Sequence, residues 1–396
     1  MSAAAFMTAL FDAARSHQSW AETVLEELVR LESPSGDPDA LASCARRLVG
    51  VLREEGLQVD IRSSGGLRHV RAETGSGRTA LVLGHYDTVW PVGTLAEMPL
   101  RRENGRLYGP GVFDMKAGIV IALLALRALR DAGRRHERIV MLWTADEEVG
   151  SGTSRALIEE EARGADAVFV LEPALPDGGV KTARRGLGEF RIEASGIAAH
   201  AGVEPERGAS AVHELVRQIA GVLALHEPSH GITINVGTIR GGSRPNVVAE
   251  SAEALVDVRV ASADAARRVA EAMARLAPVD PRVRITVSGG LNRPPFERTP
   301  AVEHLYMLAR GLAASLGREL PDGATGGGSD GNLTAALGVP TLDGLGAHGG
   351  GAHARHEHIE LDSLAFRGAL LAGLLASGTM TQLRTDARDG RADHET

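Results

Sequence analysis

The chain predicts an α/β fold in two domains, and three observations carry this. Strands alternate with helices from residue 58 to residue 172 and again after 294, an order that buries a mixed sheet beneath helices on both faces. Residues 183–291 break that pattern with a β-α-β-β-α-β order, that of a ferredoxin-like α+β sandwich set into the first domain. At 396 residues the chain also exceeds the length at which one core keeps growing. The expected division is 1–182 and 292–378 for the first domain, 183–291 for the insert and 379–396 for a polar tail.

Each element has its own warrant. Val24, Leu25, Leu28 and Val29 recur at helical spacing across 19–32, and Ser33-Pro34-Ser35-Gly36-Asp37-Pro38 stops that helix. A helix over 41–55 leads through Gly56 to a strand over 58–62. The apolar strand 79–83 runs into Gly84-His85-Tyr86-Asp87. A Gly/Pro-rich loop containing Asp114 then feeds a helix over 116–132. The strand 139–143 ends in Asp146-Glu147-Glu148, a helix over 154–161 follows, and the strand 167–171 ends at Glu172. In the insert, strand 188–194, helix 209–225, strands 232–239 and 252–260, helix 263–276 and strand 283–287 follow in order. After Pro294-Pro295 come a helix over 301–316, a glycine-rich loop, a short strand over 339–342, a histidine-rich loop and a last helix over 361–375. The tail, 379–396, is polar and expected to be disordered.

Composition excludes several classes of function. The 43 Lys+Arg are scattered among 51 Asp+Glu with no basic stripe, which argues against nucleic acid as a partner. The longest apolar run, 119–126, is too short to span a bilayer. The N-terminus has no positive region ahead of its apolar residues and meets Asp12 early, so no signal peptide and a cytoplasmic location are expected. The single cysteine, Cys44, excludes an internal disulfide and a cysteine-rich zinc site. Any metal must be held by His, Asp and Glu.

Such a set is present. His85 and Asp87, two residues apart on extended backbone, share one face. A carboxylate beside an imidazole fixes the tautomer and orientation of a metal-bound histidine. Glu147, Glu148 and Glu172 also follow strands, where sites in α/β folds gather, and Asp114 precedes a helix. Taken singly, each reads as a surface acid or, for Asp114, a helix cap. Crowded at one sheet edge they repel unless cations neutralise them, so a dinuclear metal site is the simplest account. Four histidines, at 348, 353, 356 and 358, extend the set.

Three other matches are decoys. His226-Glu-Pro-Ser-His230 fits H-E-x-x-H, but Pro228 and Gly231 make it a turn rather than a helix face. Gly344-x-Gly346-x-x-Gly349 fits a dinucleotide pattern by chance, since no helix of the required kind follows. Ser329 in Gly326-Gly-Gly-Ser-Asp330 lacks the G-x-S-x-G elbow of a nucleophile.

The ordered motifs Gly84-His-Tyr-Asp-Thr-Val89, Tyr108-Gly-Pro-Gly-Val-Phe-Asp-Met-Lys-Ala-Gly118, Asp146-Glu-Glu-Val-Gly-Ser151, Leu171-Glu-Pro173, Ala199-His-Ala-Gly202 and Thr325-Gly-Gly-Gly-Ser-Asp330, with Arg244-Pro-Asn-Val247 and Asp257-Val-Arg259, resemble those of a known family. It is that of the co-catalytic zinc exopeptidases and deacylases: glutamate carboxypeptidases, aminoacylases and acetylornithine deacetylases. The likeness runs from about residue 20 to 375 and is strongest to the bacterial glutamate carboxypeptidase branch. It implies a zinc-exopeptidase-like catalytic domain carrying a ferredoxin-like lid and dimerisation domain.

By this resemblance His85 and Glu172 bind one of two Zn2+ ions, Glu148 and His353 bind the other, Asp114 bridges them, and Asp87 orients His85. Co2+ or Mn2+ suits the same ligands. The family often has a cis peptide after the bridging aspartate, here Asp114-Met115. His348 is the rival of His353, which is preferred because it stands a few residues before Glu357. Two cations sharing a water bring its pKa from 15.7 towards about 7, and Glu147 acts as general base and then acid. His200 is expected at the oxyanion, from the same chain or from the partner of a homodimer, and Arg259 and Asn246 at the substrate carboxylate. The implied substrate is an N-acyl amino acid or short peptide, folate-like with a C-terminal glutamate, and Lys181, Arg184 and Arg185 are candidates for the side-chain carboxylate. The alternatives are an N-acyl amino acid deacylase and, in another class, a metal-free binding protein on the same scaffold.

Overall fold

The computed structural model describes residues 2–376, so the expectation for the tail, 379–396, lies outside the described residues. The chain forms two compact units, Met1–Ala183 with Arg298–Ala324 and Ser329–Thr396, and Arg184–Glu297 with Thr325–Gly328. Among the described residues no helix is long and apolar enough to cross a membrane.

The first unit is built on a six-stranded mixed sheet, in the order Gln58–Ser64, Leu67–Thr74, Arg138–Thr144, Thr79–His85, Ala167–Val170, Thr341–Leu342. The first two pairings are antiparallel and the last three parallel. Thr79–His85 is central and buried along its whole length, which is why it reads as a continuous apolar run rather than an alternation. Register then decides the site. His85 lies opposite Thr144 and Leu83 opposite Val170, so three parallel strands end at nearly the same level.

Two helices buried nearly all round, Ala117–Asp131 and Ser363–Leu375, pack on this sheet's core. Their apolar side chains contribute about 1.5 to 3 kcal/mol each on full burial. The helix Ala3–Ser16, which the periodicity reading does not include, adds Met7, Leu10 and Ala14 to the same core and is capped by the Ser2 hydroxyl. The strand Leu67–Thr74 is also absent from that reading. Its sequence interleaves Arg68, His69 and Arg71 with apolar residues; Arg71 is absorbed by Glu161 and Glu73, and His69 by Thr153.

The second unit is a four-stranded antiparallel sheet, in the order Ile232–Gly241, Ser251–Val260, Gly186–Ser195, Arg284–Arg293. The helices Ala211–Leu223 and Ala263–Ala274 share a core with its apolar face. Alternation along Ser251–Val260 is complete, with Ala252, Ala254, Val256, Val258 and Val260 buried. This is the ferredoxin-like order expected of the insert. His226-Glu-Pro-Ser-His230 forms a turn at Pro228–His230, and His226 Nδ1 accepts from the Ile234 N–H at 3.1 Å.

Candidate metal centre

At the common carboxyl edge of the parallel strands, His85 closes Thr79–His85, Glu147 and Glu148 open the turn after Arg138–Thr144, and Glu172 lies two residues beyond Ala167–Val170. Asp114 arrives from a different direction, in the segment Val112–Lys116 ahead of a buried helix, and its bond to Met115 is cis. Glycine makes this approach possible. A Cβ on Gly84 or Gly118 would lie 2.6 or 2.3 Å from Met115 Cε, so both positions leave room for the residue that follows Asp114. The His85 N–H in turn donates to Met115 Sδ at 3.2 Å.

The carboxylate of Asp114 faces two ways. Its Oδ1 is 3.3 Å from His85 Nε2, and its Oδ2 is 3.4 Å from His353 Nε2. His85 Nε2 is also 3.4 Å from Glu172 Oε1, and His353 Nε2 is 3.2 Å from Glu148 Oε2. Two histidine-glutamate pairs therefore flank one aspartate. Glu147 belongs to the same cluster, with a carboxylate oxygen within 4.8 Å of the ligand atoms of His85 and Glu172. Of the four histidines between 348 and 358, His353 alone approaches these acids among the described residues, from a left-handed backbone at φ 60°. The rival, His348, donates from Nε2 to the Pro176 carbonyl. His358 is turned to the His356 carbonyl and the Tyr108 ring.

Asp87 is fully buried and does more than orient His85. Its carboxylate lies 3.4 Å from His85 Nδ1, while its main-chain oxygen accepts from that nitrogen at 3.0 Å. Oδ1 accepts the Glu147 N–H and Oδ2 the Glu148 N–H, both at 3.2 Å, and Ser35 Oγ donates to Oδ2 at 2.7 Å. One carboxylate thus holds the first histidine and the turn carrying both glutamates.

Burial alone would keep His85 neutral, but Asp114, Asp87 and Glu172 overcome it and raise its pKa well above the usual imidazole value. Asp114 and Glu148 raise His353 to about 10. Burial works to raise Asp114, yet its two histidine partners hold it below the carboxylate range, while burial leaves Glu148 raised. The cage thus draws positive charge to itself. Its donor set fits divalent cations: His85 Nε2 and Glu148 Oε1 are buried without a hydrogen-bond partner among the described residues. Nitrogen and carboxylate donors suit zinc, cobalt and manganese.

Several supports were not legible as such. Glu357 is buried and accepts from the N–H groups of Gly111, Phe113 and Asp114 and from the Trp90 indole, fixing the loop that presents Asp114. Burial raises its pKa to about 7. Asp330 accepts from Ser151 Oγ at 2.5 Å and Thr144 Oγ1 at 3.2 Å, joining the glycine-rich loop to the Glu147 turn. Ser329 donates to Asp343 at 2.7 Å, a bond that commits it to structure. The sole sequence signal for these residues was their place within or beside the motifs.

In the second unit the strand pairing sets His200 opposite Val247, and the Ala201 N–H donates to the Asn246 carbonyl, so His200 and Asn246 are neighbours. Arg259 is held by Asp257 through two contacts of 3.0 Å. Arg184 is buried and clamps the carbonyls of Gly327 and Gly328, and Arg185 donates to Thr233 Oγ1. Lys181, in the first unit, is buried and pairs through its backbone with Asp343.

Residues 81–377 match the profile of peptidase family M20/M25/M40. The chain is 31% identical over 379 residues to carboxypeptidase G2 of Pseudomonas sp. (strain RS-16), covering 92% of this chain and 91% of that protein. It is 28% identical over 354 residues to succinyl-diaminopimelate desuccinylase of Bordetella parapertussis, covering 84% and 91%. In fold it is similar to the crystal structure of aminopeptidase PepT from Bacillus cereus, with a TM-score of 0.75 at 23% identity over 90% of this chain and 98% of that one.

Proposed function

The chain belongs to peptidase family M20/M25/M40, a metal-dependent peptidase and amidohydrolase family, and from that premise we propose that it cleaves the amide bond of a C-terminal amino acid, glutamate foremost, from an N-acyl or folate-like peptidyl substrate. The observation that carries this reading is the division of Asp114 between two histidine-glutamate pairs, the arrangement a bridging carboxylate requires. His85 and Glu172 would hold one cation and Glu148 and His353 the other. Two such ions, zinc in this reading, supply Lewis acidity to the scissile carbonyl and acidify a water when bound.

Glu147 would accept a proton from the attacking water and hand it to the leaving nitrogen, a role open to a carboxylate at the edge of the cluster. Asp87 fixes the His85 ring and the backbone of Glu147. His200 donates to the oxyanion, a contribution commonly worth about 2.7 to 4 kcal/mol. Arg259 and Asn246 recognise the free carboxylate, for which a guanidinium fork is suited. A homodimer is consistent with the outward Val216 and Leu223 of the helix Ala211–Leu223 and with Ile239 on the edge strand, which are 58%, 47% and 58% exposed. Similarity to a desuccinylase favours N-acyl amino acid deacylation as the second reading.

The test joins elemental analysis of the purified protein to hydrolysis of a panel of N-acyl amino acids by wild type and Glu147→Ala. Two metals per chain, with acyl-glutamate cleavage lost in the variant, supports the proposal. Preference for another acyl amino acid moves it to the second reading. Absence of both metal and hydrolysis refutes it.

A further inference from the structure

We propose that His69 is a positioning residue for the metal centre, fixing through Ala145 and Thr153 the loop that presents Glu147 and Glu148. The inference rests on the amide-hydrolase reading for its consequence in catalysis, and on geometry alone for its consequence in metal binding. The strand Arg138–Thr144 lies between Leu67–Thr74 and Thr79–His85 in the sheet. On one side Thr79–His85 stays paired to the strand's end, with His85 opposite Thr144. On the other, pairing with Leu67–Thr74 stops earlier, at Val70 opposite Trp143. His69, next to Val70, is fully buried, and its ring supplies what the backbone ladder no longer does: Nδ1 accepts the buried Ala145 N–H at 3.3 Å.

The far side of the ring closes the same loop. Thr153 Oγ1 donates its single hydrogen to Asp146 Oδ2 at 2.8 Å, so in its 3.1 Å contact with His69 it accepts from Nε2–H. That tautomer leaves the lone pair on Nδ1, the nitrogen facing Ala145. Both contacts therefore require the same neutral ring. Burial favours it, holding the imidazole below its usual pKa against the pull of Asp146, Asp330 and Asp87. Asp146 also accepts from the Thr153 N–H and from Ser154 Oγ, each at 2.6 Å, and its carbonyl takes the Ser151 N–H at 2.8 Å. Residues 146–154 thus form a closed loop, gripped by His69 at its stem. The hairpin that carries His69 rests on it: a Cβ on Gly65, at φ 56°, would lie 2.3 Å from Thr153 Cγ2. Asp87 holds the Glu147 and Glu148 N–H groups from one neighbouring strand, and His69 holds the stem from the other. Without the ring's acceptor the buried Ala145 N–H is unsatisfied, and the stem shifts to find a partner.

The test compares wild type, His69→Asn and His69→Gln as full-length proteins. Asparagine puts Oδ1 where Nδ1 stands, whereas glutamine reaches Thr153 but leaves no acceptor facing Ala145. With folding checked by circular dichroism, His69→Gln should bind metal about tenfold more weakly in competition with a chelator. Its metal-loaded kcat for an acyl-glutamate should fall about tenfold, with KM changed less than about threefold. His69→Asn should rescue both to within about threefold of wild type. In wild type at pH 7, the ring nitrogen shifts in the NMR spectrum, assigned by their loss in His69→Asn, should show the neutral Nε2–H tautomer; this readout stands even if His69→Gln does not fold. A ring protonated on Nδ1, a folded glutamine variant matching wild type in metal affinity and kcat, or equal losses in both variants overturns the proposal. No hydrolysis by wild type overturns the amide-hydrolase reading instead, and metal affinity and ring shifts still decide the role of His69.

Discussion

Replacing Asp87 by Asn tests whether one buried carboxylate holds the whole site together. In the native chain the two carboxylate oxygens accept separately, Oδ1 from Glu147 N–H and Oδ2 from Glu148 N–H and Ser35 Oγ. Asparagine keeps the shape but has a single accepting oxygen. Whichever way its amide turns, one backbone N–H confronts an NH2 group. An unsatisfied buried donor costs about 1 to 3 kcal/mol. Without metal the Glu147 turn can shift to relieve the clash. With metal bound, Glu148 is pinned and the cost falls on binding, so affinity drops by roughly 5- to 150-fold. That interval overlaps the loss of about 10- to 100-fold typical when an outer partner of a metal ligand is removed. The assay is competition with a chelator of known affinity, with folding checked by circular dichroism. Ser35→Ala, which removes one donor and spares both backbone bonds, should change affinity less than about threefold. A folded Asp87→Asn protein binding metal within threefold of wild type would refute the reasoning.

Three further outcomes follow from the same geometry. His353→Ala should retain only one metal per chain by elemental analysis, whereas His348→Ala should retain both, since His348 is turned to Pro176; the reverse result would exchange their roles. Because His353 is raised to about 10 and His85 well above its usual value, both imidazoles carry protons in the metal-free protein at pH 7. Loading should then release about two protons per chain, with affinity rising as pH climbs from 6.5 towards 10, measurable by calorimetry in buffers of different ionisation enthalpy; no proton release would contradict the charge assignment. Asp330→Ala removes the carboxylate that accepts from the buried hydroxyls of Ser151 and Thr144 and should lower stability in urea by about 1 to 3 kcal/mol, while a change below about 0.5 kcal/mol would show that the network is dispensable.

The candidate ligands were legible because strand ends and glycine-rich loops leave sequence signatures. Apolar runs stop where the chain leaves the sheet, and His85, Glu147, Glu148 and Glu172 stand at or just beyond those stops. The helix Ala3–Ser16 escaped because its apolar positions suit a core helix and were weighed only as a leader. The strand Leu67–Thr74 escaped because its buried His69 and Arg71 are satisfied by partners up to 90 residues away. In sequence Ser35 belongs to a helix stop, yet its backbone pairs with Thr88 and its hydroxyl with Asp87. In sequence Glu357 is no more than a spacing marker for His353. Its role depends on three backbone N–H groups some 245 residues distant, for which no local pattern exists.

By itself, then, the sequence determined the two-part α/β plan, the restriction of any metal to His, Asp and Glu, and the family, because periodicity and motif order are local properties of the chain. Tertiary structure alone decided the distances at which Asp114 meets His85 and His353, the turning of His348 away to Pro176, and which buried acids hold the site. Those are matters of distance between residues far apart in the chain. Strand register, close approach at Gly84 and Gly118, and the satisfaction of buried N–H groups settle them only once the chain has packed.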